Sequence, residues 1–477
     1  MLNFKYRAIF FLGIKGVAMA NLALIYKKKG ISVSGWDTEE EFITDKNLIE
    51  AGICVFTNRN FNISNNIDIV VYSAAHGGIN SPIIKDAVKK GIKAISQSEL
   101  ISQLLMDFET TIGVSGCHGK TTTSGLLSFV LSKLSTETAH LVGVSGFNNL
   151  TGGYYSGKKY FTYEADEYAV DPPRDKTPKF HIACPQKAIV TNIDFDHPDV
   201  FDDILQVEKA YFKFMSSVLL KKSPTLVLNG DDFFIRSFAM KNKDKNIILY
   251  GKDLSHDVIY YDVEYQRDST KFKISSRRFN LDNESISLKI FGEKNVSNAT
   301  AVICMLLELG FKIDDIRLEI KQYTGPARRM ELLFEFQDTY LFDDYAHHPQ
   351  EIEATISAMK NRFPDKRIIA IFQPHTYSRT ASLIYEFGNS LARADYAFIL
   401  PIFASAREKE HNFNISSFDI VKSSKKAGFN NVKAYENMAL LINDFNNVLN
   451  RGDVVLLMGA GDVYKLSGQV ISLIKNS

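Results

Sequence analysis

The sequence predicts an α/β protein of three domains, and three observations carry that prediction. Short apolar runs alternate along the chain with segments of helical length, the pattern of parallel sheets covered by helices. Several strand-like runs end directly in glycine or charged residues, as at GIKG (13–16) and GCHGK (116–120). The 477 residues are too many for one core and suit about three domains of ~150 residues each.

The first domain is expected over residues 1–107. RAIFFLGIKGVAMANLALIYKKKGISVSGWD reads as a strand, a glycine turn, a helix and a second strand ending at Asp37. IDIVVYS (68–73) is a further strand and SPIIKDAVKKG (81–91) a helix, which makes the domain Rossmann-like. The turn Gly13, Ile14, Lys15, Gly16 has GxxG spacing and lacks the G-x-G-x-x-G of nicotinamide sites. Turn amides and Lys15 suit the diphosphate of another nucleotide.

The second domain is expected over 108–325 as a parallel sheet of the P-loop ATPase type. TTIGVSG (110–116), YFTYEADEY (160–168) and AIVTNIDFDH (188–197) are its strand-like runs, and 245–292 alternates as a small added antiparallel sheet. Gly116, Cys117, His118, Gly119, Lys120, Thr121 and Thr122 lie between a strand and an apolar helical run. There, backbone amides and a helix N-terminus favour a phosphate, Lys120 reaches its outer oxygens and the Thr121 hydroxyl meets Mg²⁺. The strict G-x4-G-K-[ST] pattern fails, because Val114 stands five before Gly119. Glu164 to Glu167 and Asp196-His197 end strands on the edge where ligands bind in such sheets, and suit the Mg²⁺ of a nucleotide.

The third domain, expected over 326–477, is again Rossmann-like. It follows YTGPARRMELL (323–333), where Gly325 and Pro326 suit a linker. DDYAHHP (343–349) and QPHTYSR (373–379) are dense polar clusters after strand-like runs. Substrate and nucleotide contacts explain them better than a metal, because no third ligand stands at metal-site spacing. Arg328-Arg329 is either a solvated pair or a pair that swings onto a phosphate when domains close.

Composition bounds the rest. A net charge of +1 gives no ground for nucleic acid or an anionic membrane as partner. No run of about 18 apolar residues occurs, and the N-terminal stretch lacks a small-residue cleavage site, so neither a spanning helix nor a signal peptide is expected. Cys54, Cys117, Cys184 and Cys304 are scattered, as free thiols of a cytoplasmic protein are. A helix N-terminus and Lys120 beside Cys117 predict a thiolate there, which alkylation would attack.

Together, GIKGVAM (13–19), GCHGKTTT (116–123), EADE (164–167), DDYAHHPQEI (343–352), FQPHTYSRT (372–380) and GDVVLLMGAGD (452–462) resemble the Mur ligase family of ATP-dependent amide ligases in peptidoglycan precursor synthesis. The resemblance covers nearly the whole chain. It implies ATP and Mg²⁺, UDP-N-acetylmuramate bound by the first domain, and L-alanine bound by the third, through an acyl phosphate. A monomer or weak homodimer is expected. Residues 164–203 resemble instead a branch that attaches a peptide to the same UDP-sugar in recycling, and a switch or motor NTPase is the non-ligase alternative.

By the resemblance, Lys120, Glu164, His197 and Arg329 are catalytic, and Thr121, Glu164 and His197 hold metal. ATP is met by Gly116 to Thr122, Asn295, Arg329 and Asp344. Gly13, Lys15, Gly16, Tyr345, His347, His375 and Arg379 meet the other substrates. Cys117, Lys294, Thr376 and Lys15 depart from the family pattern. Tyr211 stands where some relatives carry a carbamylated lysine.

Overall fold

The structure is a computed structural model and describes residues 6–58, 61–172, 174–404 and 414–476. The first five residues, where the stretch judged to lack a signal peptide begins, lie outside the described residues. The chain forms two compact units, one of residues 1–261, 273–286 and 297–326, the other of 262–272, 287–296 and 327–477. Among the described residues three large sheets organise it, beside one two-stranded hairpin.

The first sheet runs in the order Cys54–Phe56, Ser32–Trp36, Ala8–Leu12, Ile69–Tyr72, Lys93–Ser96, and every pairing is parallel. Its central strand is a continuous apolar run because helices cover both faces. The strand order reverses beside Ala8–Leu12, so the Gly13 turn opens at the crevice where such sheets take ligands.

The second sheet has ten strands. At its centre Thr110–Ser115 lies between Lys187–Val190 and Tyr160–Glu164, parallel to both. The strands beyond are Thr225–Asn229 and Ile247–Gly251 on one side, and the antiparallel hairpin Thr138–Phe147 and Leu150–Tyr155 on the other. The strand-rich stretch expected as a small added sheet continues this one. Val258–Tyr265 pairs parallel with Ile247–Gly251, and Thr270–Ser276 and Leu281–Leu288 follow. Joining the sheet gives Tyr250 and Gly251, at the end of Ile247–Gly251, strand partners that a separate sheet would leave at an open edge.

Helix Val17–Lys28 buries every residue from Met19 to Tyr26. A helix apolar all round needs a second surface besides its own sheet, and the hairpin of the second sheet supplies it. Asn21 Nδ2 donates to the carbonyls of Val142 and Val144, each at 2.8 Å. A Cβ on Gly153 would meet Asn21 O at 1.9 Å, and one on Gly152 would meet Val144 O at 1.9 Å. Two consecutive glycines therefore let the helix backbone approach the strand.

In the second unit the sheet order is Glu331–Phe336, Thr339–Asp344, Val454–Met458, Ile368–Phe372, Tyr396–Ile399, Val432–Ala434. All pairings are parallel except the first, a hairpin. Glu331–Phe336, whose first residues end the stretch 323–333 that holds Gly325 and Pro326, pairs as the edge strand. Among the described residues no helix is long and apolar enough to cross a membrane.

Two predictions follow from this packing. Gly153→Ala should lower stability by roughly 1–3 kcal/mol, the usual cost of overpacking, read as a lower urea midpoint. His140 is buried with Nε2 2.9 Å from the Thr151 carbonyl, and burial pushes its pKa from 6.5 down to about 4. Its neutral ring favours the fold above pH 6.5, and that contribution is lost as pH falls toward about 4, where the unfolded chain is protonated first. The loss should reach about 3 kcal/mol, and His140→Gln should flatten the slope of stability against pH over that window.

Candidate active site

The loop Gly116–Gly119 leaves the central strand and enters helix Lys120–Leu134. Gly116 has φ of 137°, and a Cβ there would meet Thr191 Oγ1 at 2.0 Å. Gly119 has φ of 86° and lies against Asn298, whose Oδ1 would be 2.9 Å from a Cβ. Only glycine fits either place. Asn192 braces the loop: its carbonyl accepts from Cys117 N at 3.3 Å, its Oδ1 from His118 N at 2.9 Å, and its Nδ2 donates to His118 O at 2.8 Å. Two loop amides expected to face an anion are thus used internally. Those of the helix's first turn, Lys120 to Thr122, have no acceptor within the helix itself.

The three acids among the four residues after Tyr163 are divided among distinct partners. Glu164 accepts from Gly143 N at 2.6 Å and is hydrogen-bonded to the Thr121 side chain, and burial pushes its carboxyl up. Asp166 takes Lys179 Nζ at 2.7 Å, and the charges of Lys179 and Lys120 hold it well below the usual carboxylate range despite burial. Glu167, 1 % exposed, binds Lys120 Nζ with both oxygens, at 2.7 and 2.8 Å. His197 Nε2 lies 3.5 Å from Glu167 Oε1. Burial alone would lower Lys120, but the charges of Glu167 and Asp166 raise it above its ordinary value. A cavity of about 160 Å³ opens beside Glu164, Asp166 and Lys179.

The thiolate expected at Cys117 is overturned. The side chain is buried, its Sγ donates to Asp194 O at 3.0 Å and accepts from Asp194 N at 3.2 Å, and Tyr211 Oη lies 3.8 Å away. Burial and the Glu167 carboxylate push the thiol well above its ordinary pKa, outweighing Lys120. All four cysteines are free, and Cys54 is exposed.

In the first domain the turn 13–16 is organised by Asp37, which accepts from Lys15 N at 2.7 Å and lies 3.2 Å from His76 Nε2. A Cβ on Gly13 would meet His76 Cδ2 at 3.1 Å. The Lys15 ammonium is held by Glu40 O at 2.7 Å, with Asp45 at 3.6 Å.

In the second unit the polar clusters gather past the carboxyl ends of its parallel strands. Asp344 ends Thr339–Asp344, is buried, and receives the Thr355 hydroxyl; burial pushes its carboxyl up. Arg329 faces Glu351 at 3.8 Å and lies over the Tyr345 ring, 5.1 Å from its centroid. Arg328 pairs with Asp343 at 3.0 Å and donates to Gly459 O at 2.8 Å. His347 Nδ1 lies 2.9 Å from Tyr345 O, and its ring centroid is 6.3 Å from that of His375. His375 stacks on Phe403 at 5.7 Å, and Arg379 is buried. Asn295 donates to Phe291 O at 2.7 Å.

Comparison with known proteins gives this geometry a context. Three family models match in order: "Mur ligase family, catalytic domain" over 8–109, "Mur ligase middle domain" over 114–306, and "Mur ligase, glutamate ligase domain" over 328–461. The UDP-N-acetylmuramate–L-alanine ligase of Lactiplantibacillus plantarum is 36% identical over 461 residues, 97% of each chain. The chain belongs to the Mur ligase family. The ligase of the same description from Ligilactobacillus salivarius is also 36% identical, over 98% of this chain and 97% of that one. In fold, the UDP-N-acetylmuramate-alanine ligase of Thermotoga maritima matches with a TM-score of 0.78 at 23% identity, over 98% and 99% of the chains. A murein peptide ligase from Psychrobacter arcticus matches with 0.71 at 21%, over 99% of both.

Mur ligases are ATP-dependent and amide-forming, and in this member the sequence reading passed over Lys179, Asn192 and His76, and took Glu167 only as one of the strand-end residues suited to Mg²⁺. Glu167 lay within the quoted EADE, and Asn192 within AIVTNIDFDH, one residue past Thr191, whose side chain abuts Gly116. The signal that finds them is polar residues just past the ends of neighbouring parallel strands. Lys179 had no such signal, since it joins Asp166 only through the hairpin Ala169–Asp171 and Asp175–Pro178. A labelling test follows. In the native enzyme at pH 7.5, iodoacetamide should modify Cys54 first and leave Cys117 untouched until denaturant is added, read by peptide mass spectrometry. Prompt labelling of Cys117 would contradict its burial.

Proposed function

We propose that this Mur ligase joins L-alanine to the carboxylate of UDP-N-acetylmuramate, with ATP becoming ADP and phosphate. The observation that carries the reading is full-length identity of 36% to two ligases described by that reaction. The sequence has the ATP loop, the acidic strand end and the two third-domain clusters that the reaction uses.

In the proposed sequence a muramate carboxylate oxygen attacks the γ-phosphorus of ATP, and the bond to the ADP oxygen breaks. The amine of L-alanine then attacks the resulting acyl carbon, phosphate leaves, and the amine gives up a proton. Lys120 meets the negative charge that grows on the transferred phosphoryl group. The loop Gly116–Gly119 and the first-turn amides of its helix hold the phosphates, with Cys117 as a buried spacer. Mg²⁺ fits Glu164 and Thr121, because the half-buried Glu164 carboxylate and the Thr121 side chain form an oxygen pair whose charge a cation would offset, and His197 is taken with them as the third holder. When bound, the ion neutralises phosphate charge. Gly13, Lys15 and Gly16 face the UDP-sugar, with Lys15 contributing backbone and shape while its ammonium is tied to Glu40. Asn295, Arg329 and Asp344 serve the nucleotide, and Tyr345, His347, His375 and Arg379 the amino acid and substrate. The domains are assigned as 1–107 for the UDP-sugar, 108–325 for ATP and 326–477 for the amino acid.

A second reading, addition of a peptide in recycling, rests on the likeness of residues 164–203 to that branch. One assay separates them. ADP release in the presence of UDP-N-acetylmuramate should be stimulated by L-alanine and not by the tripeptide; stimulation by the tripeptide alone would move the assignment. Lys120→Ala should reduce kcat by about 10³-fold or more, as removal of a charge aimed at a transition state does. An active Lys120→Ala enzyme would sink the phosphate-loop assignment.

A further inference from the structure

The cavity of about 160 Å³ lies between the first domain and the central sheet, within one compact unit of the chain. Ala18 and Ser98 line it from the first domain, and Glu164, Asp166 and Lys179 from the second. Ala18 belongs to the first turn of the helix that follows Gly16. A substrate held by its diphosphate at that turn and by its acid near Glu164 has to cross this cavity. Lys179 is the only basic side chain among the lining residues. An ammonium has three N–H donors. Asp166 Oδ2 takes one at 2.7 Å, and the Tyr168 ring centroid lies 5.2 Å from Nζ. Two donors remain for a second acceptor. The backbone fixes the lysine in place, because Lys179 N donates to Tyr168 O and Phe180 N to Asp166 O, each at 3.0 Å. Ser98 is 1 % exposed, and its Oγ has no hydrogen-bond partner among the described residues. A buried hydroxyl without a partner is uncommon and calls for one.

We propose that Lys179 is a substrate-binding residue whose ammonium holds the lactyl carboxylate of the muramate, with the Ser98 hydroxyl as a further donor in the same cavity. The physical need is charge. A carboxylate that attacks ATP approaches a group of its own sign, and like charges repel most strongly where water is scarce. Lys120 meets the charge on the phosphoryl group, and Lys179 meets the charge on the attacking acid. Asp166 tempers the second contact. An ammonium shared between two carboxylates binds each less tightly, so the acid is placed without being quenched as a nucleophile. Lys179 also sets specificity, because a nucleotide sugar without the acid gains nothing from it.

This inference rests on the UDP-sugar reading, and its test separates the two. Binding of UDP-N-acetylmuramate and of UDP-N-acetylglucosamine, the same nucleotide sugar without the lactyl acid, is measured by calorimetry on the full-length protein. Wild type should prefer the muramate by about 10- to 100-fold, the range of one hydrogen bond to a charged group. Lys179→Met should abolish that preference and leave affinity for the glucosamine sugar within about twofold of wild type. In turnover, KM for UDP-N-acetylmuramate should rise while KM for ATP stays unchanged, a split that a merely structural role would not give. A wild type without preference, equal loss of both sugars, or a preference that survives Lys179→Met overturns the proposal. If wild type binds neither sugar, the UDP-sugar reading falls and takes this proposal with it. Should Lys179→Met fail to fold, its combination with Asp166→Asn carries the test, because both charges of the pair are then removed together. The double variant should also lose the preference, and keeping it would overturn the proposal.

Discussion

The parallel register of three strands is the constraint on which the candidate site depends. Val114 pairs with Glu164 on one side and Ile189 on the other, so the chain leaves all three strands at one level. The loop 116–119, the acids 164–167 and the segment 192–197 therefore emerge side by side. The pairing continues one step beyond the strands, with Ala165 N donating to Val114 O and Thr191 N to Ser115 O. Gly116 must be glycine because Thr191 already occupies the space of its missing side chain.

Charge balance follows from that crowding. Three carboxylates at one strand end gather with two lysines brought from elsewhere in the chain, mostly out of water. Each would be costly to bury alone, and removing one partner of such a pair costs more than the pair is worth. The arrangement answers this by division: Glu164 with a backbone amide, Asp166 with Lys179, Glu167 with Lys120 and His197. The same charge distribution explains why Cys117 stays a thiol. A helix N-terminus and a nearby lysine favour a thiolate, but Glu167 stands between the two effects and burial exceeds both.

The first domain's attachment shows how local pattern and packing differ in reach. Helix Val17–Lys28 is apolar on every side, and the sequence read it as an ordinary crossover helix of one sheet. Its outer side is covered by the hairpin Thr138–Phe147 and Leu150–Tyr155, with Gly152 and Gly153 allowing contact at backbone distance. Residues over 100 positions apart thus share one buried surface, and no periodicity within either segment says so. The same holds at the edge of the second sheet. Alternation identified strands between 245 and 292, while their membership in the large sheet depended on an unpaired edge elsewhere.

What the sequence by itself determined is local: which runs are strands and helices, where glycine opens a turn, and which polar residues crowd the ends of strands. Those follow from apolar spacing and backbone sterics, which act within a few residues. The family motifs extended that reading to the phosphate loop, to Glu164 and His197, and to the clusters around Asp344 and His375. Only the tertiary structure decided the partners. Lys120 meets Glu167 and not an open loop, Lys15 turns to Glu40, Arg328 is spent on Asp343, and Cys117 is sealed against Asp194. Each of these depends on groups brought together across strands, where burial and Coulomb energy depend on distance in space and not along the chain.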